Sequence, residues 1–170
     1  MRTRIYRMQH GRPLCCRWHQ GAAFVISGPD ASALPQTPFQ FQRSDRAAIA
    51  KCYGLLPNTL VSWIKTLAFV RNISAHLARL WNAGVINQPL VPKPSEAPQL
   101  VHIGSNLERR TRVYGAAAVA SYFVRRINLG TSSPSRMKGH WQAFPAMPFA
   151  SPIQGCFLAG WDAEAIWARS

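Results

Sequence analysis

The chain has 170 residues, 48% of them hydrophobic, which is enough apolar material for a folded core, so we do not expect disorder throughout. Twenty Lys and Arg residues oppose six Asp and Glu, and the formal net charge of +14 favours a polyanionic partner such as RNA. Sixteen of these basic residues are Arg, whose planar guanidinium pairs with phosphate. A genome whose base composition favours Arg codons would explain the same charge equally well.

The cysteines and the apolar segments exclude several classes of protein. The four cysteines, at positions 15, 16, 52 and 156, lack the paired spacing of a zinc site, so we predict no metal, no cofactor and reduced thiols. The first twenty residues lack the apolar core of a signal peptide. No uncharged apolar run reaches the roughly 18 residues of a membrane span. We therefore expect a cytoplasmic protein with no membrane partner.

The first half of the chain divides into an arm and three predicted helices. Residues 1–43 show no sustained periodicity and end in a Pro/Gln-rich stretch, which predicts an irregular basic arm. Helical periodicity begins behind Ser44, a predicted N-cap. Pro57 suits the first turn of a second helix, and a third helix is predicted from about Arg71 to Asn82.

The second half begins with a loop and continues with a long predicted helix. Four prolines between residues 88 and 98 predict a loop or linker. Ser105 and Glu108 have the spacing of a capping box, and Gly130 is expected to end the helix that follows. The predicted apolar stripe of that helix consists of Val113, Ala117, Ala120, Val124 and Ile127. Three arginines lie off this stripe: Arg109, Arg112 and Arg126.

The C-terminal part is predicted to have little regular structure. Residues 132–152 are rich in Pro, Met and aromatics and are expected to form short turns, followed by a last short helix around Trp161 to Trp167. No convincing strand alternation is present. The predicted fold class is therefore all-α, with the tryptophans serving mainly as core residues.

The most informative segment runs from Val70 to Asn82 and contains an Arg-x4-His pattern, Arg71 and His76. On a helix, Asn72, His76 and Arg79 fall within roughly 60° of one another, while the apolar residues gather on another face. An imidazole can move the proton of a ribose 2′-OH or of a leaving 5′-oxygen, and a guanidinium can stabilise charge on phosphoryl oxygens. These groups suit metal-independent RNA cleavage. A bare match to so short a pattern is more often a structural helix.

The longer context resembles the C-terminal part of Abi-like abortive-infection proteins over about 120 residues. The residues that carry the resemblance are Arg46–Ala50, Tyr53–Leu55, Leu60–Trp63, Val70–Asn72, Ala75–His76, Arg79–Asn82, Tyr114, Tyr122–Phe123, Trp141, Gly160–Trp161 and Ile166–Trp167. The resemblance implies that residues 44–168 form a HEPN-type helical bundle, incomplete here, in which the Arg-x4-His motif meets its copy from a second subunit.

The resemblance also implies a function and its residues. Arg71 and His76 carry over as catalytic, with Asn72 as the polar residue beside the Arg, whereas Arg79 and Asn82 match a family signature of unassigned role. The implied activity is that of a toxin, a homodimeric endoribonuclease in antiviral defence. An antitoxin, either RNA or protein, is left open as a further partner.

Two other interpretations stay open at this point. The chain could be a binding module that holds RNA or a partner without cutting it, with RNA-binding residues Arg79, Asn82, Arg109, Arg112 and Arg126. It could also be a truncated remnant of an Abi protein.

Overall fold

The computed structural model describes residues 43–76 and 80–168. The predicted arm therefore lies outside the described residues, apart from the backbone of Arg43. In the described ranges the chain is helical, and its only extended pairing is an isolated antiparallel bridge between Met147 and Ala150. The prediction of an all-α fold is confirmed.

Five α-helices account for most of the described chain. They are α1 (Arg43–Tyr53), α2 (Pro57–Ala75), α3 (Leu107–Thr111), α4 (Val113–Ile127) and α5 (Ser133–Gln142). Short 3₁₀ helices cover Pro98–Gly104, Pro152–Gly155, Trp161–Ala163 and Ala165–Trp167. Within the described ranges, no helix is both long enough and apolar enough to cross a lipid bilayer.

A tight turn connects α1 to α2. Gly54 follows α1 with a φ of 69°, a conformation that glycine adopts without steric cost. The N–H of Leu55 donates to the carbonyl of Ala50 at 2.9 Å, which is the long hydrogen bond of a Schellman C-cap. The start of α2 at Pro57 agrees with the sequence, but the predicted Ser44 N-cap is wrong, because α1 already begins at Arg43.

The N-terminus of α2 is capped by a carboxylate from a distant loop. Glu96 is buried, and its carboxylate accepts hydrogen bonds from the N–H groups of Leu56, at 2.6 Å, and Lys93, at 2.8 Å. Leu56 is the N-cap residue of α2 and has no capping side chain of its own. Burial raises the pKa of Glu96, but the backbone hydrogen bonds from Leu56 and Lys93 act against it and leave the pKa lowered.

Helix α2 is longer than the sequence suggested. The chain passes through residues 70 and 71 without a break, so the predicted separate helix from Arg71 to Asn82 is wrong. No Gly or Pro interrupts residues 58–75, and the periodicity has no physical reason to stop there. The helix ends at Ala75, and the N–H of the C-cap residue His76 still donates to the carbonyl of Asn72 at 3.1 Å.

The core forms where α2 crosses α4. Trp63 is fully buried and packs edge-to-face on Tyr122 and Phe123, with ring centroids 5.2 and 5.9 Å apart. The Tyr122 hydroxyl donates to the carbonyl of Tyr53 at 2.7 Å, which ties α4 to the end of α1. Trp161 and Trp167 are also buried, which agrees with the predicted core role of tryptophan.

The predicted apolar stripe of α4 is wrong in detail. Val113 is buried, but Ile127 is exposed and the three residues between them in the predicted stripe are only partly buried. The buried positions of α4 are Val113, Tyr114, Gly115, Ala116, Ala118, Val119, Ser121, Tyr122 and Phe123. These positions surround most of the helix, because α2 packs on one part of it and the 3₁₀ helix Ala165–Trp167 on another.

The long helix predicted after Ser105 is in fact two helices. Asn106 is the N-cap of α3, and its side chain accepts from the N–H of Glu108 at 2.8 Å, so the predicted cap at Ser105 is wrong. Arg112 then adopts an extended conformation, with φ −117° and ψ 173°, and separates α3 from α4. Helix α4 ends at Ile127, before Gly130.

The C-terminal part contains more helix than expected. Residues 133–142, predicted as turns, form α5, whose Pro134 lies in the first turn, where its missing N–H has no cost. The last predicted helix consists of two 3₁₀ helices separated by Glu164. Proline and glycine content obscured α5 in the sequence.

Candidate functional site

The three residues predicted as catalytic lie together at the C-terminal end of α2. Arg71 and Asn72 belong to its last turn, His76 is its C-cap, and all three side chains are exposed. On the side of α2 opposite Asn72 and His76, Leu60 and Trp63 anchor the helix in the core. The end of the helix is thus open to a partner while its body is fixed.

A hydrogen bond orients the arginine of this group. Arg71 Nη1 donates to Asn72 Oδ1 at 3.0 Å, which draws the guanidinium towards the face of α2 that carries Asn72. His76 follows Asn72 by four residues and therefore lies on that same face. A guanidinium, an amide and an imidazole are available together, and such a set can move a proton and stabilise an oxyanion.

The other predicted RNA-binding residues do not join this group as a set. Arg79 lies outside the described residues. Arg112 Nη1 donates to both the carbonyl and Oδ1 of Asn82, at 2.8 and 2.9 Å. Arg126 is exposed on α4, with its guanidinium over the Tyr122 ring, 5.4 Å from the centroid. The predicted roles of these residues in RNA binding remain predictions.

Arg109 belongs to a polar cluster that the sequence did not reveal. Its guanidinium forms an ion pair with Glu164 and lies over the ring of Tyr114, 5.2 Å from the centroid. His102 Nε2 is 2.7 Å from the Tyr114 hydroxyl oxygen and 2.9 Å from Glu164 Oε2, and the Tyr114 hydroxyl also donates to Glu164. The cluster joins residues between positions 102 and 114 to Glu164, which follows Tyr114 by 50 residues, so no local sequence pattern predicts it.

The environment of Glu164 favours its charged form. Burial raises the pKa of this carboxyl, but hydrogen bonds and charge interactions with His102 and Arg109 outweigh burial and leave the pKa lowered. The side chains of Arg109 and Glu164 are only 12% and 18% exposed, so little water screens the pair. We interpret the cluster as structural, because it fixes the C-terminal 3₁₀ helices against α3 and α4.

A cleft opens beside α2, on the side that faces away from the core. Its volume is about 660 Å³, and it is bounded by α1, α2 and the loop 87–90. The lining residues are Arg46, Pro57, Asn58, Val61, Ser62, Lys65, Asn87, Gln88 and Leu90. Two of them are cationic, and among these described lining residues none is acidic. No local pattern in the sequence predicts this cleft.

Hydrogen bonds hold the loop wall of the cleft against α2. The Ser62 hydroxyl donates to the Gln88 carbonyl at 3.1 Å and accepts from the N–H of Leu90 at 2.9 Å. Trp63 Nε1 donates to the Leu90 carbonyl at 2.8 Å, and Thr66 Oγ1 donates to the Asn87 carbonyl at 2.6 Å. The proline-rich segment is therefore a packed loop rather than a linker.

Metal ligands are not gathered anywhere in the described ranges. No group of three or more His, Cys, Asp and Glu side chains there is arranged to hold an ion. Cys156 carries a free thiol, and burial raises the pKa of this group.

Comparisons with known proteins address only one part of the chain. No curated protein and no solved structure matches it. The family model of Abi-like proteins matches residues 35–82, a range that includes α1, α2 and the Arg71, Asn72 and His76 group. Over this segment, the chain is similar to Abi-like proteins.

Proposed function

We propose that the chain is a metal-independent endoribonuclease of an abortive-infection defence system, with Arg71 and His76 as its catalytic residues. The observation that carries the proposal is the exposed Arg71, Asn72 and His76 group at the end of an anchored helix, inside the segment that matches the Abi-like family. In the cell, we expect the protein to be cytoplasmic and to act as a homodimer of HEPN type.

The proposed reaction needs no group beyond those on the chain and the RNA. His76 accepts the proton of a ribose 2′-OH, whose oxygen attacks the adjacent phosphorus. Arg71 stabilises the negative charge that develops on the phosphoryl oxygens. The 5′-oxygen leaves after it gains a proton, and the upstream RNA fragment ends in a 2′,3′-cyclic phosphate. Two copies of the motif in a dimer would supply two imidazoles, one for each proton transfer.

The test is RNA cleavage by purified protein in the presence of EDTA. We expect the wild type to produce fragments with 2′,3′-cyclic phosphate ends, and Arg71→Ala and His76→Ala each to reduce kcat by at least about a hundredfold. Both residues are exposed, so both variants should keep the wild-type Tm.

Helix α5 offers matched controls for these substitutions. Arg136 and His140 are exposed on α5, and Arg136→Ala and His140→Ala should leave cleavage unchanged. RNA that is still cut by both Arg71→Ala and His76→Ala would rule the proposal out, since the activity would then come from elsewhere.

The net charge of +14 supports a second candidate, an RNA-binding module without nuclease activity. On this hypothesis the wild type shifts RNA at low salt, releases it as salt rises, and leaves the strand intact. Loss of Arg126, an exposed guanidinium on α4, should weaken that binding. Cleavage abolished by Arg71→Ala and His76→Ala would eliminate this candidate.

A further inference from the structure

One exposed face of α2 connects the cleft to the proposed catalytic group. Residues spaced three and four apart fall on the same side of a helix. The residues of α2 and its C-cap that follow this spacing are Asn58, Ser62, Lys65, Phe69, Asn72 and His76. Asn58, Ser62 and Lys65 line the cleft, whereas Asn72 and His76 belong to the catalytic group. The cleft and the catalytic group are therefore two ends of one face.

The chemistry along this face suits a single RNA strand. The cleft presents the cations of Arg46 and Lys65 together with side-chain amides, and no carboxylate is among its described lining residues. Phe69 is partly exposed between Lys65 and Asn72. Proteins that bind single strands combine cations along the backbone with aromatic side chains on which bases stack. The order of cation, aromatic ring, amide and imidazole follows that principle.

The distance between the cleft and the catalytic group also suits a short RNA strand. At about 1.5 Å per residue, Lys65 and His76 are separated by roughly 16 Å along the helix axis, a length that a few nucleotides of single-stranded RNA can span. The cleft wall is held in place by the hydrogen bonds from Ser62, Trp63 and Thr66 to the loop 87–90. A strand would thus meet a surface that needs little ordering when it binds.

We propose that the cleft lined by Arg46, Asn58 and Lys65 is a subsite for the single-stranded RNA that flanks the scissile phosphodiester at His76. The inference rests on the proposed function, whose substrate it specifies as unpaired RNA. Lys65 contacts a phosphate of the strand, and Phe69 stacks on a base between the subsite and the site of cleavage.

The test measures binding separately from cleavage. The probe is a short, fluorescein-labelled single-stranded RNA with 2′-O-methyl groups on all sugars, which cannot be cut because the nucleophile is blocked. We expect Lys65→Gln to weaken binding severalfold and to reduce the slope of log affinity against log salt by about 0.7, the value for one lost phosphate contact on a single strand. Lys65→Arg should restore both quantities.

Lys51 provides the matched control for the loss of charge. It is exposed on α1, five residues after Arg46 and so on a different side of that helix. Lys51→Gln removes the same charge and should leave the slope unchanged. If Lys65→Gln and Lys51→Gln have the same affinity and the same slope, the subsite does not exist.

Cleavage of unmodified RNA separates this inference from the proposed function. If the methylated RNA binds through Lys65 but the wild type leaves unmodified RNA intact, the subsite stands and the nuclease proposal fails. If the wild type cuts RNA and Lys65→Gln cuts it with the same KM and kcat, the nuclease stands and the subsite fails. If the nuclease proposal and the subsite are both correct, Lys65→Gln should raise KM and leave kcat nearly unchanged.

Discussion

The side chain of Asn72 links a guanidinium to the face of α2 on which His76 lies. Without the hydrogen bond to Asn72 Oδ1, the guanidinium of Arg71 would sample other rotamers, since its own position is about 100° around the helix from that of Asn72. Asn72 therefore acts as a positioning residue in the proposed site, and its effect should appear in the chemical step rather than in RNA binding.

We predict that Asn72→Ala lowers kcat for RNA cleavage roughly tenfold, because Arg71 is then held less well, and changes KM little. Steady-state kinetics on unmodified RNA measure both constants. Ser74→Ala, at an exposed position of the same turn, is the control and should behave as wild type. An Asn72→Ala variant with wild-type kcat would show that the hydrogen bond has no role in cleavage.

The lowered pKa of Glu164 makes stability depend on pH. A carboxyl whose pKa is lower in the folded state contributes stability that is complete above its unfolded value, 4.5, and is lost as pH falls through its folded value. Glu164→Gln also leaves Arg109 without its carboxylate partner. We therefore predict that the variant is less stable than wild type by about 2 kcal/mol at pH 7, and that this difference shrinks below pH 4.5.

Urea unfolding of the wild type and of Glu164→Gln, at pH 7 and at a pH below 4.5, measures this difference in stability. Glu96 also has a lowered pKa, so its protonation in acid destabilises both proteins. Only the difference in stability between the variant and the wild type therefore reports on Glu164. Glu108→Gln, at an exposed position on α3, should be nearly neutral. A Glu164→Gln deficit that persists unchanged in acid would contradict the assigned charge state.

At the scale of the helices, the junction between α3 and α4 depends on a glycine. A Cβ on Gly115 would lie 2.5 Å from the carbonyl oxygen of Arg109, closer than any real contact, and a backbone atom cannot move aside cheaply. By contrast, a Cβ on Gly139 of α5 would meet nothing within 4 Å. The same substitution to alanine should therefore have opposite effects on stability at these two helical positions.

We predict that Gly115→Ala destabilises the protein by about 2 kcal/mol, through the forced separation of α3 from α4. Gly139→Ala should instead stabilise it by about 0.5 kcal/mol or more, because alanine costs less backbone entropy in a helix. Thermal unfolding of both variants measures these changes, and we expect Gly115→Ala to lower Tm and Gly139→Ala to raise it. A Gly115→Ala variant as stable as Gly139→Ala would mean that the close approach is absent in solution.

The sequence predicted those helix ends that have local signals and missed those set by tertiary contacts. Pro57 marks the start of α2 and is visible as a residue. The break at Arg112 has no Gly or Pro of its own; it coincides with hydrogen bonds to Asn82, thirty residues away. The cleft was missed because its loop wall packs on α2 through hydrogen bonds between residues more than twenty positions apart. The break predicted at Arg71 hid the common face that joins Lys65 to His76.

At the scale of the whole molecule, the described residues of the Abi-like segment share their core with the rest of the chain. Residues 35–82 contribute Ala50, Leu55, Leu60 and Trp63 to a cluster whose other members lie mostly in α4 and the C-terminal 3₁₀ helices. Glu96, outside the segment, caps α2. Stability of the proposed site therefore depends on residues up to Trp167, which the sequence indicated only through its predicted core tryptophans.

A composite site in a homodimer leads to a prediction about mixtures. Arg71→Ala and His76→Ala are each expected to be inactive, but random exchange of subunits makes about half of the dimers mixed, each with one intact Arg71 and one intact His76. We predict that the mixture regains measurable cleavage after unfolding and refolding together, at a rate below that of the wild type because each mixed dimer has one imidazole for the two proton transfers. A mixture as inactive as its components would indicate either that cleavage needs both imidazoles of the dimer or that each chain carries its site alone.

Helix α2 also has a mechanical consequence. It is held at its beginning by Glu96 and along its first half by the loop 87–90, and it carries the proposed catalytic group at its other end. With a rise of about 1.5 Å per residue, a tilt of roughly five degrees at the clamp displaces that end by about 2 Å. We therefore expect a partner that binds the loop 87–90 and tilts α2 to displace His76 without contacting it.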